Sequence, residues 1–185
     1  MAEPISFPAP SDLEDLHQEF AGLSFDEFFE EIAEDKVEAF RLKLPKAKEY
    51  ESGFQKVADA IVCVYYAEKA SWLTDQKPKI KAEYPTSKID WHATLMVLQS
   101  GGLHTPDGEM SVVVPIIRRG SRDNPPKPMA IFHAKHEPNQ KPSKVYPCEW
   151  EFKLYVLKES VCIRVVKGEI FFILIRFSPR APEDG

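Results

Sequence analysis

Residues 150–177 read WEFKLYVLKESVCIRVVKGEIFFILIRF, and they decide the fold class. Trp150, Phe152, Leu154 and Val156 fall at every second position. Val161, Ile163 and Val165 do the same after Lys158-Glu159, and the run from Ile170 to Phe177 follows Lys167-Gly168. Successive side chains of a strand point to opposite faces, so a period of two marks half-buried strands. The interruptions are short and polar, as tight turns are, and the stretch predicts a three-stranded antiparallel meander.

Working back towards the N-terminus, Ile89, Trp91, Ala93, Leu95 and Val97 alternate in the same way. Met110 to Ile117 and Met129 to Lys135 are further short strands. Pro115 lacks the N–H that a ladder needs, so the first of these is expected at an edge or a bulge. Asp75 to Lys88, Arg118 to Pro128 and Glu137 to Pro147 are polar, proline-broken loops.

Before residue 75 the period is helical. Ser11-Asp12-Leu13-Glu14 and Ser24-Phe25-Asp26-Glu27 both fit a capping box. They predict a short helix ending near Gly22 and a second helix running to about Glu38. Phe40 to Pro45 alternates and reads as a strand. Phe54, Val57, Ala58, Ile61, Val62 and Tyr65 recur three and four apart, which predicts the longest helix over Lys48 to Leu73. The expected fold is therefore α+β: N-terminal helices packed on a mostly antiparallel sheet that ends in the meander. The organisation read from these boundaries is a flexible proline-rich arm over 1–10, one globular domain over 11–178, and a C-terminal tail over 179–185.

The chain of 185 residues is 43% hydrophobic, enough to fill a single core. No apolar run approaches the ~20 residues that cross a bilayer, and Met1 to Pro4 does not begin a secretory signal. Cys63, Cys148 and Cys162 are scattered among apolar neighbours and read as free thiols. Residues 1–74 hold 16 acidic against 7 basic side chains, whereas residues 75–185 hold 13 against 17. The two halves thus carry opposite net charge.

Sites of chemistry are scarce. His133 and His136 are three apart, which on a strand places them on opposite faces, so they do not chelate a metal together. His17, His92 and His104 are isolated in sequence. Ser100 lacks a Gly-x-Ser-x-Gly turn, no phosphate-binding glycine loop is present, and no cysteine has a basic neighbour that would activate it. These absences lead to the expectation of a non-enzymatic protein with no cofactor.

The polar segment that stands out is the loop Arg118-Arg119-Gly120-Ser121-Arg122-Asp123-Asn124-Pro125-Pro126-Lys127-Pro128. With Lys141 and Lys144 it offers a positive patch suited to phosphates of a membrane or a ribonucleoprotein. Facing it in charge are the acidic helices with Glu27, Glu30, Glu31 and Glu34. Together with the aromatic side chains Phe7, Phe25 and Phe29, these suggest head-to-tail self-association.

From Leu42 to Ala181 the order of motifs resembles the matrix proteins of rhabdoviruses, of the lyssavirus type. The resemblance is carried by a short strand before a long helix, then Leu98-Gln99-Ser100-Gly101-Gly102, Pro106-Asp107-Gly108 and Arg118-Arg119. It closes with Trp150-Glu151-Phe152-Lys153-Leu154, Cys162-Ile163-Arg164, Lys167-Gly168-Glu169-Ile170-Phe171 and Arg176-Phe177-Ser178-Pro179-Arg180-Ala181. It implies a viral structural protein that self-associates and links the nucleoprotein–RNA complex to anionic lipids of the inner envelope face. It also implies budding with help from host machinery, and a location in the virion and the host cytoplasm. The alternative is a regulatory module that engages one protein partner through the acidic helices.

Overall fold

The structure is a computed structural model that describes residues 5–9, 11–34, 37–58, 89–106, 109–117, 129–134, 144–148, 150–157 and 161–179. Two antiparallel sheets face each other. The larger has seven strands in the order β1-β9-β6-β11-β4-β3-β2, and the smaller has four in the order β5-β10-β7-β8. In chain order the strands are β1 (Ile5–Pro8), β2 (Phe29–Glu34), β3 (Val37–Leu42), β4 (Ile89–Ser100), β5 (Gly102–His104) and β6 (Met110–Pro115). They continue with β7 (Met129–Ala134), β8 (Val145–Cys148), β9 (Lys153–Leu157), β10 (Val161–Lys167) and β11 (Ile170–Pro179). Helices α1 (Glu14–Ala21), α2 (Phe25–Phe28) and α3 (Leu44–Glu49) are short, and residues 51–58 are helical as well.

The class is therefore mostly β, which corrects the expected α+β fold. The last third is three strands as anticipated, but they do not form a meander. β9 and β11 belong to the larger sheet with β6 between them, while β10 crosses to the smaller sheet. Alternation says that a segment is a strand with two unlike faces and says nothing of which sheet it joins. The crossing into β11 turns at Gly168, whose φ of 73° is open to glycine at little cost. Gly101, with a φ of 79°, does the same between β4 and β5.

The second expected helix is also corrected. It lasts one turn as α2, and the chain then extends into β2, where Phe29 to Glu34 pair with Leu42 to Val37 of β3. Phe29 packs against Phe171 with ring centroids 5.3 Å apart. Pairing and burial of this kind outweigh the small helix propensity of a glutamate-rich run. Pro115 lies at the end of β6, an internal strand, rather than at a sheet edge. The next residue resumes the ladder, since Ile116 N–H donates to Phe171 O at 2.7 Å. Ile5–Pro8, expected within an extended arm, pairs with Val156 to Lys153 as an edge strand.

Two apolar clusters follow from the two faces of the larger sheet. On one face Val97, Val112, Val114, Ile173 and Ile175 pack with Leu13, Phe20, Tyr50 and Phe54 of the helical layer. On the other, Met96, Leu98, Val113, Tyr155, Leu157, Phe172 and Leu174 meet Ala130, Phe132, Val161 and Ile163 of the smaller sheet. The loop cations Arg118, Arg119, Arg122, Lys127 and Lys141 lie outside the described residues, as do the residues beyond Ala58 in the predicted long helix.

Candidate ligand site at the open end of the two sheets

Arg176 lies in register with His92 of β4 on one side and Ser111 of β6 on the other, and Ser111 in turn pairs with Leu157 of β9. Cross-strand partners share a face. Leu174 and Phe172, two and four residues before Arg176, belong to the cluster between the sheets, as do Val113 and Leu157. By alternation the row His92, Arg176, Ser111 therefore faces the smaller sheet.

The row sits at one end of the sandwich. β9 stops at Leu157 and β10 starts at Val161, so the gap is too short for these two strand ends to lie far apart. The same reasoning places the end of β5, at His104, near the start of β6, at Met110. Val161 pairs with Ala134, which brings the end of β7 there too. At the opposite end Gly101 turns the chain from β4 into β5. The apolar cluster reaches the open end through Leu157 and Val161, and Ser111, Thr105 and Arg176 add polar groups beside them.

Their hydrogen bonding is incomplete. Ser111 and Thr105 are each 2% exposed, and Ser111 Oγ, Thr105 Oγ1 and Arg176 Nε are buried without a hydrogen-bond partner among the described residues. A buried polar group left unpaired costs about 1–3 kcal/mol. Three such groups lie at one end of the sheets, where a polar molecule would satisfy them. Arg176 as a whole is only partly buried.

The outer face of the smaller sheet carries a second row, His104, Cys162 and His133, on β5, β10 and β7. His133 Nδ1 lies 2.8 Å from Ala134 O. Burial pushes the Cys162 thiol up to about 11, against a weaker opposite pull from the Arg164 charge, so it is a protonated thiol at neutral pH. Its Sγ donates to Ile163 O at 3.5 Å. Among the described residues no group of three or more His, Cys, Asp or Glu comes together to hold a metal.

The residues expected at binding surfaces are dispersed. Phe29 is buried in the core. Glu30 pairs with Arg41 at 2.8 Å, while Glu27, Glu31 and Lys144 are exposed. Phe7, Phe25 and Glu34 lie on β1, α2 and β2. Ser111 and Arg176 were not anticipated. Their one sequence signal was a polar residue on the inward phase of an otherwise apolar strand.

No family model matches this chain, and no curated protein matches it. Nothing in these comparisons points to a rhabdovirus matrix protein. Among solved structures, the chain is similar to a prolyl-4-hydroxylase from Pseudomonas putida, with a TM-score of 0.55 and 12% identity over 96% of this chain and 93% of that one. A looser similarity, TM-score 0.43 and 11% identity over 97% of this chain and 83% of the other, is to TqaL, described as an Fe(II)/α-ketoglutarate-dependent dioxygenase. The second falls too low to carry weight. The first shows the fold, and the expectations of a viral matrix-type assembly protein, and of a protein without enzymatic activity, are corrected on that finding.

Proposed function

We propose that this chain is an enzyme working at the open end of its two facing sheets, and that Arg176 receives a carboxylate of the molecule it acts on. The row of Arg176 and Ser111, inward-facing and incompletely hydrogen-bonded, is the observation that supports this most directly. A guanidinium presents a planar fork of donors that matches a carboxylate in two places, and the neighbouring serine hydroxyl adds a third donor. The sharing of a fold with a prolyl-4-hydroxylase supports the enzymatic part and suggests hydroxylation as the class of reaction. What the described residues contribute is binding and orientation: the charge of Arg176 fixes one end of the ligand, and the apolar floor formed by Leu174, Val113 and Leu157 excludes water beneath it.

The test is calorimetry with small carboxylates, α-ketoglutarate among them, on the wild-type protein and on Arg176→Gln, followed by NMR assay of whether the bound acid is consumed. A hydrogen bond to a charged group contributes about 1.5–3 kcal/mol, so the substitution is expected to weaken binding by roughly ten- to hundredfold. Equal binding by both proteins, or no binding by the wild type, overturns the assignment.

A further inference from the structure

We infer that Thr105 makes a second, separate contact to the same ligand from the opposite sheet, so that the open end selects molecules carrying a hydrogen-bonding group a few atoms from their carboxylate. The inference rests on the reading that Arg176 holds that carboxylate. Leu103 of β5 packs into the cluster between the sheets, and His104 is exposed on the outer face. By alternation Thr105, the next residue, turns inward again. Its backbone is held by the smaller sheet, because Thr105 N–H donates to Val161 O at 2.9 Å. The side chain is 2% exposed, and Oγ1 has no hydrogen-bond partner among the described residues.

Facing sheets lie ~10 Å apart, and a long arginine side chain from one sheet narrows that gap to the span of a small molecule. A hydroxyl both donates and accepts, so Thr105 suits a keto, hydroxyl or second carboxylate group equally. Arg176 and Ser111 then set the charge that the ligand must carry, and Thr105 sets the distance at which its second polar group must stand. An acid with an apolar tail would leave Oγ1 unpaired, and that penalty is how the site would reject it.

Calorimetry compares α-ketoglutarate with pentanoate, which has a chain of the same length and no second polar group. In the wild type α-ketoglutarate is expected to bind at least tenfold tighter. Thr105→Val should bring it down to the level of pentanoate while leaving pentanoate unchanged, and Thr105→Ser should restore the preference. Melting curves check the fold, and Thr105→Ala replaces the valine variant should that one unfold. If the valine or alanine variant keeps the wild-type preference, or weakens both acids alike, Thr105 is a packing residue and the inference falls while the Arg176 reading stands. If Arg176→Gln binds both acids as the wild type does, the reading beneath it falls as well.

Discussion

Ser111→Ala should stabilise this protein, although most substitutions in a buried strand do the reverse. Ser111 is 2% exposed on internal strand β6, and its Oγ has no hydrogen-bond partner among the described residues. A buried hydroxyl in that state costs about 1–3 kcal/mol of desolvation. Alanine removes the hydroxyl, keeps the Cβ and leaves a void smaller than a methyl group, so the packing loss is slight. Alanine fits a strand less well than serine by at most a few tenths of a kcal/mol. The balance is a gain of about 1 kcal/mol, which in a domain of 150–250 residues raises the midpoint by roughly 2–4 °C. Urea titration and scanning calorimetry of the ligand-free protein measure it directly. In the presence of a carboxylate that binds at Arg176 the gain should shrink, because the ligand satisfies the wild-type hydroxyl and not the alanine. A loss of more than about 1 kcal/mol without ligand would refute the reasoning, since it would mean that Oγ is hydrogen-bonded in the native protein.

Two further outcomes follow from named contacts. Ile117 N–H donates to His17 Nε2 at 2.8 Å, and the ring lies 4.3 Å from that of Phe152, so His17→Ala removes an acceptor and an aromatic contact together. The expected cost is about 2–4 kcal/mol by urea titration, and a cost below 1 kcal/mol would show that α1 does not depend on this tie. For Cys162, whose thiol burial raises to about 11, maleimide labelling at pH 8 should be slow in the folded protein and fast in urea. Because the unfolded thiol ionises near pH 8.5 and the folded one only near 11, the folded protein holds the extra proton between them, and stability falls as pH rises through that window. Stability that is flat from pH 8 to 11 in wild type and Cys162→Ala alike would contradict the burial argument.

Period-two alternation marked β4, β9 and β10 as strands, whereas β6, β7 and β11 were legible as short apolar runs, and β6 and β11 do not alternate because both of their faces are buried. Leu13 and Phe20 likewise kept the helical spacing that buries them. What alternation could not carry is partnership. β2 was hidden inside a helical pattern, since Phe29, Ile32 and Ala33 satisfy a period of three and four as well as they fit a strand at the edge of β3. β10 looks like the middle of a meander and instead pairs with β5 and β7 in the smaller sheet, because alternation sets a strand's two faces and not its partners.

The site shows the same division more sharply. The clusters of like residues that stood out along the sequence, the arginine loop and the acidic run, are neighbours in the chain. Arg176, Ser111 and Thr105 are separated by up to 71 positions, and none is unusual among its own neighbours. Each became legible only when the pairing of β11 with β4 and β6, and of β5 with β10, brought them to one end of two facing sheets. The sequence by itself determined which segments extend and which faces shed water, because those are properties of single residues and their period. Tertiary structure alone decided which polar groups lose their water together, because desolvation depends on what the rest of the chain places above them.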